Sequence, residues 1–191
     1  MNDKTSQKII GLGGSLRARS YSSAALRVGL DIAKGMGAST ELLDLRLLDL
    51  PMYVPDLPIE EYPASSREAV RKLVASFRSA DLMLWATPTY HGTMSGVFKN
   101  AIDYMEFLAK DSRPYFQGRA IGLVSVSDSS PMSGMANCVN ELRAWLAPTR
   151  VTLTANDFSP EMTLTNETRS RRLTRLVTEL LEFRSWHGAP T

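Results

Sequence analysis

Cysteine, histidine and net charge are all scarce in this 191-residue chain, which has one cysteine, two histidines and a formal charge of +2. Because Cys138 has no second cysteine to pair with, an internal disulfide is excluded and a reducing compartment is indicated. One cysteine and two histidines are also too few for a zinc centre built from these ligands. A charge of +2 gives little support for a nucleic-acid partner.

Long hydrophobic segments are missing as well. Apolar runs such as Leu82–Ala86 are too short to cross a membrane, so no membrane partner is expected. The polar start of the sequence, MNDKTSQK, has no apolar segment of the kind that a secretory signal carries. Together with the lone cysteine, this predicts a cytoplasmic protein.

The motifs of three common enzyme classes are absent. The chain has neither the G-x-S-x-G turn of many hydrolases nor the G-x-x-x-x-G-K-[ST] loop of NTPases. A dinucleotide-binding fingerprint begins with Gly11 and Gly13, but its third glycine position holds Leu16. The acidic residue at the end of the second predicted strand, Asp44, comes more than 30 residues after Gly11 rather than about 20. These gaps argue against a hydrolase, an NTPase and a nucleotide-binding dehydrogenase.

What the sequence has is an alternation of short apolar runs of strand length with segments of helical spacing. The runs are Lys8–Leu12, Thr40–Leu45, Leu82–Thr87, Ala120–Val126 and Val151–Thr154. The helical stripes extend from Ala25 to Met36, Val70 to Phe77, Val97 to Leu108, Met135 to Leu146 and Leu173 to Leu180. This order predicts an α/β protein with a doubly wound, five-stranded parallel sheet in the order 2-1-3-4-5 and helices on both faces. Without internal repeats or composition shifts, one domain is expected over residues 1–191.

One connection is unusually long for such a fold. The segment from Arg46 to Pro63 contains four prolines, so it is not a regular helix throughout. Long connections in compact domains are often functional or act as lids. The alternative is a plain surface excursion.

The loop after the first predicted strand, Gly13 to Ser23, is rich in glycine and hydroxyl groups. A helix starts directly after it, and the free N–H groups at a helix start bind anions. Serine hydroxyls can donate further hydrogen bonds, and the guanidinium of Arg17 matches the oxygens of a phosphate. With few positive charges, this loop is suited to a single terminal monophosphate. The alternative is that its serines only cap the helix.

Two more loops of this kind follow the third and fourth predicted strands, and carboxyl ends of parallel strands meet at one edge of a sheet. Pro88 and Tyr90 add a flat apolar surface to the first of them, which favours a planar heteroaromatic ligand. Ordinary packing is the alternative for Tyr90. The other loop, Ser125 to Gly134, is again small and rich in hydroxyls.

At these motifs the chain resembles the NAD(P)H-dependent FMN reductases of the flavodoxin-like superfamily, which include quinone, azo-dye and chromate reductases. The matching residues are Gly14-Ser15-Leu16-Arg17 with Ser20 and Ser22, then Leu50-Pro51-Met52-Tyr53, then Pro88-Thr89-Tyr90 with Ser95-Gly96 and Lys99-Asn100-Ala101-Ile102-Asp103. The resemblance extends over roughly residues 8 to 148. The last strand and helix fit by pattern only.

The resemblance implies a bound FMN and a nicotinamide substrate, NADPH or NADH. The implied phosphate-binding residues are Ser15, Arg17, Ser20 and Ser22. Those implied to flank the isoalloxazine ring, largely through backbone atoms, are Pro88, Thr89, Tyr90, His91 and Gly92. Ser127, Asp128 and Ser129 would close the opposite edge of the ring. Ser22 replaces an asparagine that is common in relatives, and the last loop lacks their Gly-Gly.

The chemistry implied is hydride transfer from NAD(P)H through FMN to a small acceptor, with the two substrates binding alternately. The cofactor carries the hydride, so no catalytic side chain is required. His91 is a hypothetical proton donor to a reduced quinone, and the alternative is that only its backbone contributes. The sequence leaves the acceptor open among free flavin, a quinone, an azo compound, an iron chelate and a metal oxyanion. A flavodoxin-like electron carrier and a non-enzymatic flavin-binding module are the alternative functions.

Assembly and nucleotide preference are the last expectations. Apolar residues beyond a single stripe on the third and fourth predicted helices suggest a subunit interface, and relatives usually dimerise, so a homodimer or a tetramer is predicted. These residues are Phe98, Ile102, Tyr104, Phe107 and Trp145. Recognition of the 2′-phosphate of NADPH needs a basic contact, for which Arg19, Arg113 and Arg119 are the candidates.

Overall fold

The computed structural model describes residues 6–187, with side chains up to Phe183 in the last helix. Five strands form one parallel sheet in the order β2-β1-β3-β4-β5. They are β1 (Lys8–Gly13), β2 (Ser39–Asp44), β3 (Leu82–Pro88), β4 (Ala120–Val126) and β5 (Trp145–Leu153). This order confirms the doubly wound sheet that the alternation of strands and helices predicts and the flavodoxin-like fold class that the resemblance implies.

Six α-helices connect and cover the strands. They are α1 (Tyr21–Gly35), α2 (Leu45–Leu48), α3 (Ala64–Ser79), α4 (Gly96–Asp103), α5 (Pro131–Glu141) and α6 (Glu167–His187). One face of the sheet packs on α1 and α6, and the other packs on α3, α4 and α5. Because β3 and β4 are covered on both faces, they are almost continuously apolar. Within residues 6–187, no helix combines the length and apolar character needed to span a bilayer.

The fourth helical stripe is predicted to reach Leu146, and the structure shows this to be wrong. Helix α5 ends at Glu141, Arg143 adopts a positive φ of 58°, and β5 already begins at Trp145. A register shift opposite Ile121 and Leu123 lengthens this strand. The stripe continues past the helix because Leu146 packs on the same core cluster as the α5 residues. The third stripe is likewise split, since Tyr104–Leu108 forms a 3₁₀ turn after α4.

The additional apolar residues around α4 pack within the chain. Phe98, Ile102 and Tyr104 are at most 5% exposed. Tyr104 packs edge-on against Tyr53 of the long connection, with 5.5 Å between ring centroids. Trp145 is 56% exposed, but it lies in β5 rather than in a helix. For the residues of α4 and the turn after it, the pattern that suggested a subunit interface therefore reflects packing against the long connection and the core.

That connection is tied to α4 by its backbone. The N–H of Tyr53 donates to Asn100 Oδ1 at 2.8 Å, and Asn100 Nδ2 donates to the carbonyl of Pro51 at 2.8 Å. The Tyr104 hydroxyl donates to the same carbonyl at 3.1 Å. Burial raises the pKa of Tyr104 well above its usual range, which keeps this hydroxyl a donor. Asn100 and Tyr104 thus fix the Leu50-Pro51-Met52-Tyr53 motif in place.

Candidate functional site

A cleft of about 110 Å³ opens at the carboxyl edge of the sheet. It lies where the loops after β1, β3 and β4 meet, because these three strands are neighbours in the sheet. Its lining comprises Ser15, Arg17, Arg19, Ser20, Tyr21, Ser22, Pro88, Thr89, Tyr90, Val126 and Ser127. Eight of the twelve residues predicted from the sequence are therefore brought together here. His91, Gly92, Asp128 and Ser129 lie outside this lining.

The serines of the first loop have different roles. Ser20 caps α1, and its Oγ accepts from the N–H of Ser23 at 3.2 Å. Ser22 is 2% exposed and its Oγ lies 2.9 Å from that of Ser20. Ser15 Oγ accepts from the N–H of Arg17 at 3.2 Å, so its own proton can be donated elsewhere. Helix capping accounts for Ser20 alone, and the Ser15 hydroxyl keeps a donor that the cleft can use.

Two groups that carry positive potential lie beside these hydroxyls, namely the first turn of α1 and the guanidinium of Arg17. The N–H groups of Tyr21 and Ser22 belong to the first turn of α1, where no preceding helical carbonyl can accept from them. The Arg17 side chain is exposed, and no acceptor or ion-pair partner for it occurs among residues 6–187. Arg19 differs, because its guanidinium donates to the carbonyl of Pro160. An anion in the cleft would find Arg17 and the helix start without competitors.

Gly14 allows the first and second of these loops to approach closely. A Cβ at this position would lie 2.8 Å from Thr87 Oγ1 and 2.9 Å from the Cβ of Phe98. The N–H of Gly14 donates to the Ala86 carbonyl at 2.8 Å, and Ser95 Oγ donates to the Gly14 carbonyl at 2.5 Å. Ser95 also caps α4. The relative position of the two loops is therefore set by backbone contacts as well as by side chains.

The loop after β3 folds into a tight turn. Tyr90 and Thr93 exchange backbone hydrogen bonds of 2.9 and 3.1 Å, and His91 and Gly92 between them have φ angles of 50° and 78°. Positive φ at both central residues defines a type I′ turn. His91 and Gly92 occupy its tip, whereas Tyr90, which is 43% exposed, faces the cleft. Sequence reasoning did not anticipate this separation of Tyr90 from the two residues after it.

The loop after β4 is held to the loop after β3 by one carboxylate. Asp128 Oδ1 accepts from the Thr89 hydroxyl at 3.2 Å and from the N–H of Ser130 at 2.7 Å. Hydrogen bonds from Ser130 and then from Thr89 hold the pKa of Asp128 below its usual range. Asp128 thus joins the two loops from outside the cleft lining.

Ser127 turns the chain toward Asp128 with strained backbone. Its φ of 101° lies in the region that favours glycine, and its N–H donates to the Leu153 carbonyl at 2.9 Å. Strain of this kind is often retained at functional sites. Ser127 is itself part of the cleft lining.

The structure adds lining residues that the sequence did not suggest as site residues. Tyr21, at the first position of α1, lines the cleft and packs against Phe158 at a centroid distance of 5.2 Å. Val126, the last residue of β4, lies beside the loop that follows it. Arg19 was considered only as a contact for a nucleotide phosphate, and it also lines the cleft. Tyr21, Val126 and Arg19 gave only a weak sequence signal, because each is a single residue at or near the end of an element.

The structure places two of the three candidate arginines for nucleotide recognition at the edge of the sheet opposite the cleft. Arg119 directly precedes β4 and donates to the carbonyls of Phe77 and Arg78 at 3.0 and 3.2 Å. Burial lowers the pKa of Arg119 to about 10. Arg113 donates to the carbonyls of Gln117 and Gly118 in the same region. Both are separated from the cleft by the length of β4, roughly 20 Å at about 3.3 Å per residue.

Fold and site together define a flavodoxin-like α/β protein with a cleft of arginines and hydroxyl groups at a topological switch point. The sequence profile of the NADPH-dependent FMN reductase family matches residues 7–161, and the chain belongs to this family.

Two curated relatives show the same relationship. An NAD(P)H-dependent FMN reductase of Pseudomonas aeruginosa is 35% identical over 120 residues, covering 63% of this chain and 60% of the relative. The NADPH-dependent FMN reductase ArsH of Shigella flexneri is 30% identical over 139 residues, covering 73% of this chain and 51% of the relative. The match thus spans only half to three fifths of the length of these two proteins.

Among solved structures, a similar fold is found in FerB from Paracoccus denitrificans, described as a flavoenzyme NAD(P)H:(acceptor) oxidoreductase. The two structures superpose with a TM-score of 0.75 at 22% identity, over 96% of this chain and 100% of FerB. At this identity the similarity shows the fold alone.

Proposed function

We propose that this chain is an NAD(P)H-dependent FMN reductase that passes hydride from NADPH or NADH, by way of FMN, to a small acceptor. The observation that carries the proposal is the guanidinium of Arg17, which has no partner among the described residues and lies beside the free first turn of α1. Residues 1–191 act as one FMN-binding domain. Family membership supports the cofactor and the nucleotide.

The donor set of the cleft suits a phosphate. The lining residues include two arginines and several hydroxyls, but no carboxylate. Arg17 supplies charge-assisted hydrogen bonds, and the N–H groups of Tyr21 and Ser22 supply the helix start. Ser15, Ser20 and Ser22 complete the set with buried hydroxyls. These residues would hold the terminal phosphate of FMN.

The other two loops would seat the flavin ring. Pro88, Thr89 and Tyr90 offer a half-exposed surface, and the turn at His91 and Gly92 limits how far the ring extends. The segment from Ser127 to Ser129 would border the opposite edge, with Ser127 lining the cleft and Asp128 holding Thr89. When bound, the flavin accepts and donates the hydride. The side chains bind and orient it, and none has to move a proton.

Assembly and location complete the proposal. We infer a homodimer or a tetramer, since Leu47, Met52 and Val54 on the long connection are 70%, 73% and 45% exposed. We place the protein in the cytoplasm because its one cysteine fits a reducing compartment. Apolar side chains on a fixed backbone are typical of contact surfaces. Light scattering at micromolar concentration should show an assembly larger than one chain, and a monomer would contradict this part.

An absorbance spectrum of the purified protein, followed by NADPH and NADH turnover with a panel of acceptors, tests the activity. The expected result is a flavin spectrum and nucleotide oxidation with parallel initial-rate lines, because both substrates use the same cleft in turn. Intersecting lines would contradict alternating binding. A bound flavin without nucleotide oxidation would instead indicate an electron carrier or a binding module.

A further inference from the structure

A second cavity, of about 480 Å³, adjoins the cleft. Its lining consists of Ala18, Arg19, Ser20, Arg27, Glu161 and Met162. Arg19 and Ser20 line both cavities, so a ligand can extend from one into the other. Nothing in the proposed binding of FMN uses Arg27, Glu161 or Met162.

The cavity lies between α1 and the connection from β5 to α6, and that connection is well ordered by one buried side chain. Asp157 is 5% exposed. Its Oδ2 accepts from the N–H of Thr154 at 2.7 Å, and its Oδ1 accepts from Asn166 Nδ2 at 2.7 Å. Contacts to the first loop hold the connection against α1, through the Tyr21–Phe158 ring pair and the bond from Arg19 to the Pro160 carbonyl. The backbone that borders the cavity is therefore held in place by contacts within the chain.

The charges in this cavity are mixed but positive in sum. Arg27 is exposed on α1, and no hydrogen-bond or ion-pair partner for its guanidinium occurs in the part of the chain that the structure describes. Arg19 supplies a second guanidinium. Hydrogen bonding from Ser159, with a smaller contribution from the charge of Arg19, lowers the pKa of Glu161, so this carboxylate is ionised at neutral pH. Two guanidiniums and one carboxylate match a ligand that carries both a phosphate and hydrogen-bond donors.

We propose that this cavity binds the 2′-phosphoadenosine end of NADPH, with Arg27 and Arg19 on the 2′-phosphate and Glu161 accepting from a ribose hydroxyl or the adenine amine. The assignment rests on the proposed function, because it concerns the nucleotide substrate of the same enzyme. An arginine selects for a 2′-phosphate, whereas an acidic residue alone selects for the free 2′-hydroxyl of NADH. Arg27 is the discriminating residue, since Arg19 is already bonded to Pro160.

The test compares two fragments, adenosine 2′,5′-bisphosphate and AMP, by calorimetry on the FMN-loaded protein. The wild-type protein should bind the bisphosphate more tightly, and Arg27→Gln should weaken that binding by roughly 10- to 100-fold while leaving AMP unchanged. Arg27→Lys, which keeps the charge, should restore part of the difference. In turnover, Arg27→Gln should raise KM for NADPH without changing KM for NADH or kcat.

Arg171→Gln is the matched control, because Arg171 is an exposed arginine on α6 whose side chain is 74% accessible. It should change none of these values. If FMN binding and NADH oxidation are intact but Arg27→Gln binds both fragments like the wild type, the assignment of this cavity is wrong and the proposed function stands. If the wild-type protein neither binds FMN nor oxidises either nucleotide, the proposed function fails and this assignment fails with it.

Discussion

The two edges of the sheet treat their arginines in opposite ways. At the amino edge, Arg119 is 8% exposed and donates to two carbonyls at the end of α3. At the carboxyl edge, Arg17 is exposed and lacks a partner within residues 6–187. The first arginine completes hydrogen bonds that the fold needs, and the second supplies charge that the fold does not use. Hydrogen-bond donors at the carboxyl edge that have no acceptor among the described residues are the reason why we propose that a ligand binds there.

Removing the buried arginine, Arg119, should have the largest effect on stability. Arg119→Ala leaves the carbonyls of Phe77 and Arg78 without their donor and removes the contact of the guanidinium with the Phe116 ring at 4.9 Å. Urea denaturation should show a loss of about 2–4 kcal/mol in the free energy of unfolding. FMN affinity of the folded variant should be unchanged. A neutral effect on stability would mean that this edge is not held as described.

The strained residue at the carboxyl edge should respond in the opposite direction. Ser127→Gly relieves a φ of 101° that glycine adopts readily. The free energy of unfolding should rise by about 1 kcal/mol, measured by urea denaturation. Ser129→Gly, two residues further on, is the comparison that carries no such strain and should not stabilise the protein.

The bond between Asp128 and Thr89 should affect FMN binding more than folding. Asp128→Ala and Thr89→Val each remove it, and each should weaken FMN about fivefold, because the two loops are then no longer held together by this hydrogen bond. The double variant should be no weaker than Asp128→Ala alone, since that change already deletes the bond that Thr89→Val removes. Fully additive losses, measured by fluorescence titration, would show that the two side chains act separately.

Removing the carboxylate of Glu41, near the amino edge, should have the smallest effect, which appears in the pH dependence of the free energy of unfolding. Burial raises the pKa of Glu41, but hydrogen bonds from Lys8 and Ser76 outweigh it and leave the pKa lowered from 4.5. A lowered pKa means that Glu41 stabilises the protein above pH 4.5 and that this contribution disappears as the pH falls below that value. Glu41→Gln should therefore lose about 0.2–1 kcal/mol of stability at pH 7 and less at pH 3. An equal loss at both pH values would contradict the assignment.

Much of this architecture was predictable, because β1, β3 and β4 are buried, largely apolar runs with clear ends. The start of β5 was not, since it depends on the positive φ of Arg143 and on a register shift against β4. The cleft was predictable from loop chemistry at the carboxyl ends of the strands. The link from Asp128 to Thr89 and the outward placement of His91 were not, because both follow from backbone angles that are invisible in residue types.

Parallel titrations of the protein with FMN and with riboflavin test the central claim most directly, since the two ligands differ only in the terminal phosphate. The account predicts that FMN binds at least about 100-fold more tightly than riboflavin, and that Arg17→Ala weakens FMN by roughly 10-fold or more while leaving riboflavin unchanged. Arg171→Ala serves as the exposed-arginine control. Equal affinity for the two ligands, or no binding of FMN, would contradict the account.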